Sequence, residues 1–94
     1  MRQLILTTGF KRAFRKFVKR NPQSQSQIEN ILSQMQADVF APQLGTHKLS
    51  GNLSGLRACS CGYDCRIVFS IEKDKATNQE VVILLDIGTH DEVY

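Results

Sequence analysis

The sequence predicts an α+β domain of order β-α-α-β-β-β, with a two-helix hairpin packed on one face of a mostly antiparallel four-stranded sheet. Three observations carry that expectation. A short apolar run opens the chain, two segments with helical spacing follow it at once, and everything after Gly55 reads as sheet. Ninety-four residues allow one domain, spanning 1–94, with no repeat and no low-complexity tract.

Each element has its own reason. Residues 3–8 are apolar and β-branched, and Thr8-Gly9 closes them, so they form a strand. From Phe10 the period changes. Phe10, Phe14, Phe17 and Val18 mark one face of a helix over 11–20, with Thr8 as its cap. The other face carries Lys11, Arg12, Arg15, Lys16, Lys19 and Arg20, half of the twelve basic residues, with no acid among them. Asn21-Pro22 ends this helix and starts the next, Asn21 capping and Pro22 suiting the first turn. Ile28, Ile31, Leu32, Met35 and Val39 form the second apolar stripe, and the helix stops before Pro42.

Residues 41–55 hold Pro42, Gly45, Gly51 and Gly55 and show no period. They form a loop anchored by Leu44, Leu49 and Leu53, and loops that long are often functional. Residues 56–61 and 64–72 flank Gly62-Tyr63 as a hairpin, 73–79 form a polar turn, and 80–87, apolar on both faces, suits a central strand. A type II′ turn at Gly62-Tyr63 pairs Cys61 with Asp64, Cys59 with Arg66 and Arg57 with Val68. Opposed residues share a face. Arg57, Cys59, Cys61, Asp64, Arg66, Val68 and Ser70 then look away from the helices, and Ala58, Ser60, Cys65, Ile67 and Phe69 look toward them.

Composition narrows the function. Hydrophobic residues make up 41% and charged residues 22%, the balance of a folded domain rather than a disordered chain. The longest apolar run, 81–85, falls far short of the roughly 18 residues of a membrane span, and only residues 4–6 are continuously apolar near the start. Neither a membrane partner nor a signal peptide is expected. Three cysteines, an odd number, exclude a closed disulfide framework and favour a reducing, cytoplasmic setting.

Both histidines lie in loops that flank the sheet, His47 beside Lys48 and His90 after Gly88-Thr89, and Tyr94 ends the sequence. With Arg57, Arg66 and Asp64 they make a set suited to a polyanion, and in particular to RNA cleavage without a metal or other cofactor. There a 2′-hydroxyl attacks the adjacent phosphorus, one group takes its proton, and another protonates the departing 5′-oxygen. Histidine serves either role near neutral pH. Guanidinium forks match phosphate oxygens and keep their protons. An aromatic ring can stack on a base. The plain alternatives are solvated loop histidines and a solvated basic helix face. Zinc on Cys59, Cys61 and Cys65 is a rival, but strand alternation sends Cys65 to the opposite face from the other two. Cys65 then reads as core, and Cys59 beside Arg66 as a thiol of lowered pKa.

The stretch from His47-Lys48-Leu49 through Gly51-Asn52-Leu53 to Leu56-Arg57, the run Gly62-Tyr63-Asp64-Cys65-Arg66-Ile67-Val68-Phe69 and the ending Gly88-Thr89-His90-Asp91-Glu92-Val93-Tyr94 resemble the RelE/ParE superfamily of bacterial toxins. The likeness covers the whole chain and is strongest to the RelE- and YafQ-like messenger-RNA interferases. It implies a toxin of a type II toxin–antitoxin system, a ribosome-dependent and metal-independent endoribonuclease. Its partners would be a cognate antitoxin protein, the ribosome and mRNA, with operator DNA bound only by the toxin–antitoxin complex. By position, His47 and His90 match active-site histidines, Asp64 matches an aspartate, Arg66 matches the sheet arginine at the scissile phosphate, and Tyr94 falls at the carboxy-terminal aromatic. Lys48 and Arg57 neighbour the RNA path, and Lys11, Arg12 and Arg15 would grip ribosomal RNA. Ser60 stands where YafQ-like proteins carry another histidine. Two other readings remain: a ParE-like inhibitor of DNA gyrase without nuclease activity, and a non-toxic homologue that only binds an antitoxin.

Overall fold

A computed structural model describes residues 2–94. Strand β1 (Gln3–Leu6) leads into helix α1 (Thr8–Arg20), then α2 (Gln25–Ala37), strands β2 (His47–Lys48), β3 (Arg57–Gly62), β4 (Cys65–Asp74) and β5 (Gln79–Gly88), and a last single turn, α3 (His90–Val93). The expected α+β class and element order hold, with one strand more. His47-Lys48 pairs antiparallel with Arg57-Ala58 and makes the sheet five-stranded, in order β1-β5-β4-β3-β2. A two-residue strand inside a loop leaves no alternation to read. β5 lies between β1, which runs parallel to it, and antiparallel β4.

Local chemistry sets the ends of α1. Thr7, rather than Thr8, is the cap. Its hydroxyl accepts from the Phe10 N–H at 3.1 Å and donates to the Leu84 carbonyl at 2.8 Å, so one side chain starts the helix and ties it to β5. Thr8-Gly9 is therefore the first turn of α1 and not the end of the strand. Asn21 does not cap the second helix. Its side-chain amide donates to the Phe17 carbonyl and closes α1 instead, while Pro22–Ser24 forms a separate 3-10 turn before α2.

Both helices lie on one face of the sheet. Phe10 and Phe17 of α1, Ile28 and Met35 of α2, and Val39 and Leu44 just beyond it meet Cys59, Cys61, Cys65, Ile67, Phe69, Val82, Leu84 and Ile87 in one cluster. β5 reaches this cluster on both sides of a bulge. Val68 pairs with Asp86 but Phe69 pairs with Leu84, so Leu85 is the extra residue and both Leu84 and Ile87 turn inward. Ala58, Val68, Ser70 and Val81 are buried outside that cluster, so the second face of the sheet is partly covered as well.

Phe69 is fully buried at the centre of the sheet. Phe69→Ala should cost about 3–5 kcal/mol, read as a lowered urea midpoint with an unchanged denaturant slope.

Candidate active site

The β3–β4 hairpin departs from the expected register by one residue. Arg57 pairs with Phe69, Ala58 with Val68, Cys59 with Ile67 and Ser60 with Arg66, and an irregularity between Ser60 and Gly62 leaves Cys61 as the extra residue before Gly62 meets Cys65. The type II′ assumption places no bulge, and a slip of one residue exchanges the faces of a strand. β4 keeps the faces expected of it. β3 is reversed: Cys59 and Cys61 enter the core, and Ala58 and Ser60 look away from the helices.

Two corrections follow. The arginines do not share a face. Arg66 lies opposite Ser60 on the face away from the helices, whereas Arg57 lies opposite Phe69 on the helix side. There its guanidinium stands 5.6 Å from the centre of the Phe40 ring, which Arg2 also approaches at 5.4 Å. The cysteines are also corrected. All three belong to the core cluster, and Cys61 and Cys65 are bonded to each other across the turn. Cys59 is the free thiol, 3.7 Å from the Met35 sulfur, and burial pushes its pKa up to about 12 rather than down. Among the described residues no three His, Cys, Asp or Glu side chains come together as metal ligands do.

His47 sits on the same row as Ala58 and Val68, so it belongs to the face that carries Arg66. Its Nδ1 lies 3.1 Å from the Gly45 carbonyl. A cavity of about 450 Å³ opens beside it, walled by His47, Lys48, Leu49, Asn52, Leu53 and Tyr94. Tyr94 links this cavity to the second imidazole. The His90 and Tyr94 rings meet edge to face with centroids 4.6 Å apart. The Tyr94 hydroxyl titrates above the ordinary tyrosine range because burial raises its pKa more than the nearby Arg66 charge lowers it. Arg66 itself lies opposite Gly88, two residues before His90. Its Nη1 donates to the Cys65 carbonyl at 2.9 Å and the Gly62 carbonyl at 3.4 Å, and among the described residues it meets no carboxylate. Two histidines, a tyrosine and an unpaired guanidinium thus gather at one end of the sheet.

The remaining candidates fall elsewhere. Lys48 shares the helix-side face with Arg57, and the two line a neighbouring cavity of about 340 Å³ with Ser54 and Gly55. Lys11, Arg12 and Arg15 are exposed on α1, across the sheet from the His47 row. Asp64 touches neither imidazole nor guanidinium. Its carboxylate accepts from the His90 backbone N–H at 3.1 Å and so fixes the start of α3.

α3 is only four residues long, too short to hold itself. Thr89 and Glu92 form a capping box, in which each side chain accepts from the other's backbone N–H, at 3.3 and 2.9 Å. Glu92 also pairs with Arg20 of α1 at 2.6 Å. Gly88 lets the turn fold back, since a Cβ there would lie 3.0 Å from a Glu92 oxygen and 3.3 Å from Val93. Of these supports the sequence itself carries one sign, the capping-box spacing Thr89-x-x-Glu92.

The chain matches known proteins over its whole described length. The model of the family described as a bacterial toxin of type II toxin–antitoxin systems, YafQ, matches residues 2–94. No relative was found among curated proteins. YafQ of Escherichia coli is similar in structure, with a TM-score of 0.78 at 9% identity over 100% of this chain and 99% of that one. The YafQ of the Escherichia coli DinJ-YafQ toxin–antitoxin complex gives 0.75 at 10% identity, over 99% of this chain and 97% of that one. A conserved hypothetical protein of Helicobacter pylori gives 0.70 at 26% identity over the whole of both chains.

The α3 anchor titrates. The Thr89 N–H, and then Arg20, hold the Glu92 carboxyl at about 2, below its ordinary 4.5. A depressed carboxylate stabilises the fold above its unfolded pKa, and that support is lost as pH falls from about 4.5 through 2. Between pH 6 and pH 3 the urea midpoint of the wild type should therefore fall further than that of Glu92→Gln.

Proposed function

We propose that this chain, which belongs to the YafQ family of bacterial toxins of type II toxin–antitoxin systems, is a ribosome-dependent endoribonuclease that cuts messenger RNA without a metal ion. One observation carries the reading: His47 and Tyr94 wall the same cavity, and His90 stands edge-on to Tyr94. A nucleotide seated there has an imidazole on either side. His47 as general base takes the 2′-hydroxyl proton, and His90 as general acid gives one to the departing 5′-oxygen. Tyr94 positions the base between them. Arg66, with no carboxylate partner among the described residues, meets the charge that develops on the phosphorane oxygens, with Lys48 and Arg57 along the flanking backbone. Asp64 acts at one remove, through the backbone of His90. With Ser60 on the Arg66 row instead of a third imidazole, the two histidines divide the proton transfers between them.

The basic face of α1, with Lys11, Arg12 and Arg15, lies outside the cavity and suits ribosomal RNA rather than the cut strand. A cognate antitoxin is the expected protein partner, as DinJ is for YafQ. An acidic or amphipathic segment that wraps the helices would neutralise that face, and operator DNA would be bound by the complex alone.

Induced expression tests the reading. The wild type should arrest growth and create new mRNA ends, and His90→Ala should do neither. Arg66→Ala should cut roughly 10²–10³-fold more slowly. Equal toxicity of wild type and His90→Ala would reject the role of His90. Arrest with intact transcripts and a DNA-damage response would instead identify a gyrase inhibitor, and no arrest with antitoxin binding retained would identify a non-toxic homologue.

A further inference from the structure

The Cys61–Cys65 bond encloses Gly62-Tyr63-Asp64, and that enclosed turn holds the candidate site. The Gly62 carbonyl inside this loop, and the Cys65 carbonyl just after it, are the hydrogen-bond acceptors that orient Arg66. Its Asp64 carboxylate accepts from the His90 N–H and so places α3, with His90 and Tyr94. Besides the bond, the turn is held by the Gly62–Cys65 pairing and by Ser60 Oγ, which donates to the Gly62 carbonyl. Tyr63 is fully exposed, Asp64 is exposed, Gly62 has a φ of +150°, and the strand bulges at Cys61. The bonded sulfurs are the part of the turn sunk into the core.

Both cysteines also border a cleft of about 360 Å³ between the turn and the helix hairpin, shared with Phe17, Asn21, Gln27 and Thr89. With Cys61 1% and Cys65 4% exposed, a small dithiol meets the bond from this side when the turn opens locally. Cys59, the third cysteine, is buried with its thiol protonated, so it does not compete in exchange.

We infer that the Cys61–Cys65 pair is a redox-sensitive positioning element for the ribonuclease site, with the bonded form the more active. The inference rests on the nuclease reading for its catalytic readout only. The switching step is ordinary thiol–disulfide exchange. A thiolate of a dithiol reductant attacks one sulfur and breaks the S–S bond, giving a mixed disulfide. The second thiol of the reductant then displaces it. Two electrons and two protons pass to the protein, leaving two thiols, and the reductant departs as its own disulfide. A dithiol-rich setting would keep the turn loose, and a disulfide oxidant, reduced to its two thiols by the reverse exchange, would set it.

The test compares the full chain treated with diamide and with dithiothreitol, denatured and labelled with iodoacetamide. The oxidised chain should take one label, at Cys59, and the reduced chain three. On ribosomes carrying a short mRNA, the oxidised form should show a kcat at least about tenfold higher, with KM for the ribosome unchanged. The His90 amide should exchange with solvent about tenfold more slowly in the oxidised form, as expected when local opening is restrained. The double variant Cys61→Ser, Cys65→Ser should match reduced wild type and ignore both reagents, and Cys59→Ser should still switch. If the double variant fails to fold, the two states of the wild type decide alone. Three labels on the diamide-treated chain, or equal His90 exchange in the two states, would overturn the inference. Different His90 exchange with no RNA cut in either state would support the coupling and refute the nuclease reading.

Discussion

The register of β3 against β4 is the constraint on which the site depends. One extra residue at Cys61 turns a simple hairpin into a bulged one, and every side chain of β3 changes face as a result. The exchange is favoured by what it buries. Cys59 and Cys61 enter the core beside Met35 and Phe17, where small, soft and apolar groups pack well, and Ser60 goes outward to the row of Arg66. The unbulged alternative would place Ser60 among apolar side chains and leave two cysteines on the outer face. Burying a hydroxyl without a partner costs about 1–3 kcal/mol by the measure of protein mutations. A bulge breaks the ladder at one residue, and here Ser60 Oγ and Arg66 Nη1 both donate to the Gly62 carbonyl at that point.

From this register the polar end of the sheet is assembled by side chain to backbone contacts. Arg66 is oriented by carbonyls and not by a carboxylate, so its charge stays available to an incoming anion. α3 is held by four separate devices: the Thr89 capping box, the absent Cβ of Gly88, the Asp64 carboxylate and the Glu92–Arg20 pair. None is strong alone. An exposed ion pair contributes about 0–1 kcal/mol, and a cap about 1 kcal/mol. Together they fix the single turn that carries His90 and leads into Tyr94.

What the sequence disclosed follows from the range of each signal. Helical spacing of Phe10, Phe14 and Phe17, and of Ile28, Leu32 and Met35, survives any tertiary arrangement, so both helices were legible. So was β5 as a central strand, because 80–87 has no polar face. Register is different, since it depends on where a bulge falls and nothing in Cys61-Gly62-Tyr63-Asp64 announces one. The faces expected for Arg57 and for Cys61 relative to Cys65 both follow from an unbulged register, whereas the expected lack of a disulfide follows from the odd cysteine count. His47, His90 and Tyr94 converge although 43 positions separate the two histidines. Chemistry suggested their association, and the pairing of β2 with β3 and the return of α3 supplied it. The loop 41–55 hides β2 because a strand of two residues has no period, and Thr7-Thr8 offers two equivalent hydroxyls as caps, between which only the fold decides.

Helix α1 shows how far the outer surface is free of the demands of folding. Lys11 and Arg15, Arg12 and Lys16, Arg15 and Lys19, and Lys16 and Arg20 are like charges at i,i+4 spacing. Each such pair destabilises a helix by about 0.2–0.5 kcal/mol, so four withdraw on the order of 1–2 kcal/mol. Lys19 and Arg20 recover part of that at the C-terminal end, where the helix dipole favours cations. Burial of Phe10 and Phe17 contributes about 1.5–3 kcal/mol each and outweighs the rest. Among the described residues only Arg20 of the six finds a carboxylate. The inner face therefore carries the stability of α1, and the outer face keeps five cations that nothing within the described chain neutralises. A polyanion laid along that face would lower the self-repulsion while it binds. The same repulsion would favour the proposed acidic antitoxin segment, so the proposed RNA and the proposed inhibitor would compete for one stretch of charge.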